Sequence, residues 1–259
     1  MATEFTGTGD PARSMALLWR TSPEGAARRG PKSSLDVDRI VAAAVAVADA
    51  EGLAAVSMRR VAADLGTAAM TLYSHVPGKG ELLDLMLDAV LGELYPDEQV
   101  VTSGAWRTRL RTLAQANWDF FLRHPWAMHL ATGRPPLGPH LMRKYELELR
   151  AVDGLGLSEL QMDLLVTLIN GFVRGTVGGV QEKADAERVT GISEDQWWAA
   201  TEPYVAQVFD AERFPTAARV GPVAGEELGA YDPARSFEFG LERLLDGIGV
   251  LILDASRRA

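Results

Sequence analysis

The stretch S-M-R-R-V-A-A-D-L-G-T-A-A-M-T-L-Y-S-H-V, residues 57–76, decides the fold of this 259-residue chain. Ser57 is a residue type that caps helices, and Gly66 suits the left-handed backbone that ends a helix and turns the chain. A second short helix is predicted to begin near Thr67. The residues expected to face inward are Val61, Ala62, Leu65, Leu72 and Val76. Two short helices around a tight glycine turn, with small Ala62 where they cross, predict a helix-turn-helix.

The outward face of the second helix offers polar and aromatic side chains. They are Thr71, Tyr73, Ser74 and His75. Such side chains contact phosphates and base edges when a helix enters the major groove of DNA. The alternative is an ordinary helical hairpin, in which Tyr73 is a core aromatic and His75 caps the end of its helix.

Helices on either side supply the apolar surface that such a short unit lacks. Asp36 is placed to cap a helix over about 37–51, which Gly52 ends. Another helix is predicted to begin near Gly80. Together with the two short helices between them, these helices predict a helix-turn-helix domain over residues 35–95.

Composition divides the rest of the chain. The first 34 residues are rich in Gly, Pro, Ser and Thr, so 1–34 is predicted to be a flexible basic arm. Arg28, Arg29 and Lys32 form a basic cluster in it, with no acidic residue from Gly25 to Leu35. The polar connection 96–104 is the expected boundary before a larger helical domain, 96–259.

Helical segments alternate with Pro and Gly breaks in that larger domain, and strand-like alternation is scarce. The predicted helices are 105–123, 137–151, 158–180, 193–209 and 233–253. Pro203 is expected to split the fourth, because proline removes a backbone donor and clashes with the preceding turn. Residues 214–231 are expected to be mobile. The predicted fold class is all-α.

Charge and composition exclude several classes of protein. The net charge is −9, yet residues 57–79 carry Arg59, Arg60 and Lys79 against Asp64, a local charge of +2. There is no cysteine, which excludes disulfides, thiolate zinc sites and a cysteine nucleophile. No apolar run approaches the roughly 20 residues of a membrane span, so a cytoplasmic protein without a membrane partner is expected.

Signatures of an enzyme are missing from the sequence. The four histidines show no H-E-x-x-H or other metal-binding spacing, and no G-x-x-x-x-G-K-[ST] phosphate loop or G-x-S-x-G elbow occurs. We therefore expect no catalytic residues, no cofactor and no metal site.

Residues 35–94 resemble the DNA-binding domain of TetR-family transcriptional regulators. The resemblance lies in A-D-A-E-G-L at 48–53, in S-M-R-R-V-A-A-D-L-G at 57–66 and in T-L-Y-S-H-V-P-G-K at 71–79. The last segment is similar to the tetracycline-repressor branch. The order of Trp106, Gly133-Arg134-Pro135 and F-E-F-G-L-E-R-L-L-D-G-I from Phe237 also resembles that branch's regulatory domain.

The resemblance implies specific DNA contacts. Arg59 matches a position that reaches a base or a phosphate, and Lys79 matches a phosphate contact. The positions that match the recognition helix are Thr71, Tyr73 and His75, together with Ala69 and Met70. At Ala68, Ala69 and Met70 this sequence departs from the family's polar or proline residues. Alanine and methionine can touch a thymine methyl group but cannot hydrogen-bond a base edge.

Two helices of the larger domain carry features of a dimer interface. Glycines four apart suit close approach of another helix, and the last helix has an apolar seam with 4-3-4 spacing. The predicted interface residues are Gly171, Gly175, Phe237, Leu241, Leu244 and Ile248. The resemblance implies a four-helix interface between two subunits. Packing of the same helices within one chain is the alternative.

A pocket for a small-molecule effector is expected in the larger domain, where apolar groups mix with a few polar ones. The candidate residues are Trp118, Phe121, Trp126, His129, Met142, Asn170 and Arg174. Ordinary core positions are the alternative. Contacts to tetracycline and magnesium do not transfer from the family, because Leu113 and Asn117 replace a polar amide and an aromatic residue.

These patterns together predict a ligand-responsive transcriptional regulator. Its expected partners are a palindromic double-stranded DNA operator, an effector and a second copy of the chain. A two-fold dimer fits a palindrome because one helix-turn-helix covers only a half-site. Effector binding is expected to shift the helix that joins the two domains. The alternative is a helical small-molecule-binding protein without specific DNA binding.

Overall fold

The computed structural model describes residues 4–20, 35–131, 133–229 and 231–257. The basic arm residues Arg28, Arg29 and Lys32 lie outside the described residues. The described parts of Met1–Thr167 and Ile252–Ala259 form one compact unit, and Leu168–Leu251 form a second.

The first unit is helical apart from one short strand pair. Its elements are β1 Glu4–Phe5, α1 Pro11–Leu18, α2 Val37–Glu51, α3 Met58–Asp64, α4 Ala69–Tyr73, α5 Lys79–Leu91, α6 Gln99–Thr102, α7 Trp106–Arg123, β2 Leu130–Ala131 and α8 Pro139–Val152. The two strands are parallel, with Phe5 opposite Ala131. Single 3₁₀ turns lie at Leu53–Ala55 and Pro125–His129.

Four further helices complete the chain. They are α9 Glu159–Thr190, α10 Glu194–Val208, α11 Pro215–Leu228 and α12 Pro233–Ser256. Helices α10 and α11 lie in the second unit, whereas α9 and α12 each contribute residues to both units. The all-α fold class is confirmed, with a helix-turn-helix near the N-terminus and a larger helical part after it. None of the helices in the described ranges has the length and hydrophobicity needed to cross a membrane.

Helix α5 is the core of the first unit. Ten of its thirteen residues are buried, and it packs against α1, α2 and α8. The buried set includes apolar residues such as Leu82 and Met86, but also three acidic residues. Helix α8 packs against both α5 and α7, so α7 and α8 belong to the first unit. The boundary between the compact units therefore lies within α9 rather than at 96–104.

The second unit has its core between α9 and α12. The rings of Phe172 and Phe237 stack with their centroids 5.9 Å apart. Gly240 allows this approach, because a Cβ there would lie 2.6 Å from Cε2 of Phe172. Ile169, Val173 and Val177 of α9 are buried as well.

The prediction of a flexible N-terminal arm is wrong for residues 4–20. The side chain of Asp10 caps α1 by accepting a hydrogen bond from the Arg13 amide at 2.9 Å, and Pro11 occupies the first turn. This is the sequence pattern of a helix start. The connection predicted over 96–104 also contains a helix, α6.

Two expectations about the second unit are also wrong. Helix α10 continues through Pro203. It has no buried residue, so water can hydrogen-bond the carbonyl that the proline leaves without a donor. Residues predicted to be mobile form α11, which begins with Pro215 at its first position and ends before Gly229, at φ +64°.

Candidate nucleic-acid interface

Local hydrogen bonds shape the helix-turn-helix formed by α3 and α4. The Ser57 hydroxyl accepts from the Arg60 amide at 3.2 Å and caps α3. At the other end, the Thr67 amide donates to the carbonyl of Ala62 at 2.9 Å, and the Gly66 amide donates to Ala63 at 3.1 Å. With Gly66 at φ +64°, this pair of bonds is a Schellman motif. The predicted turn is therefore present.

The two helices bury the residues that the spacing predicts. Val61, Ala62, Leu72 and Val76 are buried, whereas Leu65 is only partly covered. Ala62 lies next to the turn, where a larger side chain would separate α3 from α4. With Leu72 fully buried, the neighbouring positions of α4 must point the other way.

The opposite face of α4 is exposed. Met70 is 77% exposed and Tyr73 is 44% exposed, and Thr71 is also exposed. Ala69 and His75 are half-buried at the margins of this face. Tyr73 is thus a surface residue, so the alternative of a core aromatic is excluded.

The basic residues near this face differ in how far they are engaged in contacts within the chain. Arg60 pairs with Glu51 across to α2, with Nη2 and Oε1 2.6 Å apart, and it also contacts Asp64. These contacts neutralise Arg60, which is one of the three cations counted in the local charge of +2. Arg59 is exposed on α3, and Lys79 is half-buried at the start of α5.

The predicted effector residues are divided between the two units. Trp118 and Trp126 of the first unit are buried, Phe121 and His129 are half-buried, and Met142 is exposed. Asn170 and Arg174 are half-buried in the second unit. Burial lowers the pKa of Arg174 from its ordinary value.

Two of these residues, Trp126 and Met142, differ in how much of the side chain is available to a ligand. The indole Nε1 of Trp126 donates to Oδ1 of Asp49 at 2.6 Å, so its polar group is already used within the first unit. Met142 lies near the start of α8 and is 36% exposed.

Sequence reasoning missed a buried polar network where α7 and α8 meet the residues after α5. The Tyr95 hydroxyl donates to Oε1 of Glu148 at 2.7 Å, and Nδ2 of Asn117 lies 2.6 Å from the Tyr95 oxygen. Lys144 donates to the same Glu148 oxygen at 2.6 Å. Burial, followed by the Glu148 charge, raises the pKa of Tyr95 well above its ordinary value. The sequence feature that could have indicated this network is Asn117, a polar residue at a position of α7 where the helical pattern places apolar residues.

The predicted dimer residues separate into two groups. Gly171 and Gly175 are exposed on α9, with open space where a Cβ would lie. Phe237, Leu241 and Ile248 are buried within the chain, and Leu244 is half-buried. The assignment of those three buried residues to an interface is therefore wrong, because they form the core of the chain instead.

Comparison with known families decides what this helix-turn-helix belongs to. Residues 40–86 match the family described as bacterial regulatory proteins, tetR family. Residues 100–252 match the tetracyclin repressor-like, C-terminal domain. The chain belongs to the TetR family. The resemblance to the tetracycline-repressor branch is thereby confirmed, and this TetR-family chain is a transcriptional regulator.

Similar proteins span nearly the whole TetR-family chain. The HTH-type transcriptional repressor DrrR1 of Streptomyces coeruleorubidus is 41% identical over 259 residues, which cover 99% of this chain and 92% of that protein. Apo ActR from Streptomyces coelicolor has a TM-score of 0.68 at 30% identity, covering 88% of this chain and 100% of that chain. ActR in complex with actinorhodin has a TM-score of 0.68 at 32% identity, covering 83% and 96%.

Proposed function

We propose that this TetR-family regulator is a repressor that binds a palindromic operator as a homodimer and is released by a small-molecule effector. The outward face of α4 carries the proposal: Met70, Thr71 and Tyr73 project from a helix whose Leu72 is fully buried. The description of DrrR1 as a repressor supports the direction of control. The complex of ActR with actinorhodin supports release by a small molecule.

Each predicted contact residue has a role in this proposal. Tyr73, Thr71 and His75 contact phosphates and base edges from the recognition helix α4. Arg59 reaches the backbone or a base from α3, and Lys79 contacts a phosphate. Met70 and Ala69 pack against thymine methyl groups, since neither can hydrogen-bond a base. The operator half-site should therefore contain a thymine that Met70 contacts.

A dimer would use one exposed stripe on each of α9 and α12. The stripe on α9 has 4-4-3-4 spacing and consists of Leu160, Leu164, Leu168, Gly171 and Gly175. The stripe on α12 has 4-3-4-3 spacing and consists of the apolar residues Phe239, Val250 and Leu253 together with the ion pair of Arg243 and Asp246. Residues with these spacings share one helix face. Exposed leucines beside open glycines favour close packing of a partner helix.

Release requires the effector to favour a different conformation of the dimer. We propose that the effector binds the helical part of the chain after residue 95 and shifts α5, which follows the recognition helix. It must bind the shifted form more tightly, because equal affinity for both forms would change nothing. Contacts of the effector with Trp118, Phe121, His129, Asn170 and Arg174 stay a prediction.

Selection of bound fragments from sheared genomic DNA tests the proposal. We expect the fragments to share an inverted repeat whose half-site centres lie one helical turn, about 34–36 Å, apart or a multiple of it. Affinity should fall steeply as salt rises, since displaced counterions drive binding. Retention of unrelated fragments with equal affinity would instead favour the alternative, a small-molecule-binding protein without specific DNA binding.

A further inference from the structure

Helix α5 carries three carboxylates on one face in an otherwise apolar core. Glu81, Asp84 and Asp88 are all buried, and their spacings of three and four residues align them along the helix. A buried charge is costly unless it is hydrogen-bonded. The hydrogen-bond donors of these carboxylates therefore identify the segments that are attached to α5.

Two of the three carboxylates bind the N-terminal segment of the chain. Oδ1 of Asp84 accepts from the Gly7 amide at 2.8 Å, and Oδ2 accepts from the Ser14 hydroxyl at 3.0 Å. Oε1 of Glu81 accepts from the Asp10 amide at 3.0 Å. These donors lie 70 or more residues before the carboxylates that they bind, so the contacts are tertiary. We call residues 4–20 the N-terminal strap.

The strap is also attached to the stretch between α7 and α8. The Thr6 hydroxyl donates to the Arg134 carbonyl at 2.9 Å, and Nε1 of Trp19 donates to the Leu137 carbonyl at 2.9 Å. Phe5 pairs with Ala131 in the parallel strand pair. Both ends of the strap therefore hold residues 130–137, while its middle holds α5.

Two glycines allow the strap backbone to lie directly on the first turn of α5. A Cβ on Gly80 would lie 2.8 Å from the Gly9 nitrogen, and a Cβ on Gly9 would lie 2.6 Å from Cδ of Glu81. Both distances are shorter than real Cβ contacts. Five residues, 74–78, separate this turn from the end of the recognition helix α4.

We propose that the N-terminal strap positions the recognition helix, by holding α5 against residues 130–137 in the position from which α4 reaches the operator. This inference rests on the proposed function. Under that function, the strap contacts stabilise the form of the regulator that binds DNA. An effector that shifts α5 must break them. The strap lies outside residues 40–86, which match the family's DNA-binding domain.

A disulfide between two introduced cysteines would allow the attachment of the strap to α5 to be switched by oxidation and reduction. No other disulfide can form, because the chain has no cysteine of its own. The double variant Ser14→Cys with Asp84→Cys puts one thiol in place of the Ser14 hydroxyl and the other in place of Cγ of Asp84, whose Oδ2 lies 3.0 Å from that hydroxyl. Oxidation ties the strap to α5, and reduction releases it. Each single-cysteine variant is the matched control and should not respond to oxidant. The measurements are hydrogen exchange of the α5 amides and the Kd for a selected operator fragment at fixed salt.

In the reduced double variant, we expect the α5 amides to exchange at least about tenfold faster than in wild type. The operator Kd should weaken by at least about fivefold, because α5 then occupies the binding position for a smaller fraction of the time. The slope of log K against log salt should stay unchanged, since the phosphate contacts are the same. Oxidation should restore both the exchange rates and the Kd.

Equal operator affinity in the two redox states would overturn the proposal, as would weaker binding by the oxidised form. If wild type retains no fragment selectively, the proposed function fails, and the exchange rates alone decide whether the strap holds α5. Should the double variant not fold, Ser14→Ala serves with Ser103→Ala, an exposed serine, as its control. Ser14→Ala should weaken operator binding and accelerate α5 exchange; behaviour identical to Ser103→Ala would refute the strap.

Discussion

Asp49 of α2 and His124, 75 residues later, are joined by a 2.8 Å contact between Oδ1 and Nδ1. The other ring nitrogen of His124 lies 3.2 Å from Oε2 of Glu93, which follows α5. Carboxylates only accept hydrogen bonds, so a ring nitrogen that carries a proton donates to the carboxylate it faces. The buried ring thus ties the first helix of the DNA-binding domain to the end of α5.

Replacing His124 with phenylalanine should lower the free energy of unfolding by about 1–3 kcal/mol, because two carboxylates lose a hydrogen-bond donor. Urea denaturation monitored by circular dichroism measures this loss. His140→Ala, at an exposed histidine, is the control and should change stability by less than about 0.5 kcal/mol. Equal stability of His124→Phe and wild type would show that the bridge contributes nothing.

Neighbouring positions on α4 should separate DNA binding from folding. Tyr73→Ala should weaken operator binding by at least about tenfold, or about 1.4 kcal/mol, and leave thermal stability unchanged, since Tyr73 is on the surface. Leu72→Ala should cost about 2–5 kcal/mol of stability, because it opens a cavity under the helix. Gel retardation and calorimetry measure the two effects. Unaltered gel retardation by Tyr73→Ala would remove that residue from the interface.

Charges placed on the exposed stripes of α9 and α12 should dissociate the dimer. Leu164→Asp and Val250→Asp put a carboxylate where the proposal buries an apolar group, at positions now 55% and 60% exposed. Light scattering should report monomers of unchanged helicity. Leu137→Asp, at an exposed leucine outside both stripes, should remain dimeric. A dimer that survives both stripe variants would place the interface elsewhere.

Two carboxylates should give opposite dependences of stability on pH. Burial raises the pKa of Asp84 despite hydrogen bonds from Gly7 and Ser14. Its raised folded pKa means that wild type gains stability relative to Asp84→Asn as pH falls from 7. Burial by itself raises the pKa of Glu93. Hydrogen bonds from His124 and Arg123 together outweigh that effect, so the pKa of Glu93 lies below its ordinary value. Wild type should therefore lose its advantage over Glu93→Gln as pH falls.

Urea denaturation at pH 7 and at about pH 4, near the ordinary pKa values of Asp and Glu, measures both differences. Each variant keeps the shape of the side chain and removes its charge, so the two serve as controls for one another. If the difference in the free energy of unfolding between wild type and one of these variants does not change with pH, the carboxylate replaced in that variant keeps its ordinary pKa.

The helix boundaries near the N-terminus could be predicted because the signals act over a few residues. Asp36 caps α2 by accepting from the Arg39 amide at 2.9 Å, and Gly52 ends that helix at φ +83°. Ser57 and Gly66 do the same for α3. A cap and a left-handed turn need only the atoms of their own turn, so residue identity predicts them.

The phase of the last helix could not be predicted in the same way. Helix α12 carries one series that contains Phe237, Leu241 and Ile248, and a second series that contains Phe239 and Val250. Both have helical spacing. The first is buried and the second is exposed, because the stacking of Phe172 on Phe237 selects the side that faces α9.

By itself, the sequence determined the helix-turn-helix, its outward residues and the all-α class, since these depend on periodicity and on caps within single turns. Tertiary structure alone decided that residues 4–20 are an ordered strap, and that Glu81, Asp84 and Asp88 face inward. The physical reason is distance along the chain. Asp84 is compatible with burial only because Gly7 and Ser14, 70 or more residues earlier, provide its hydrogen bonds.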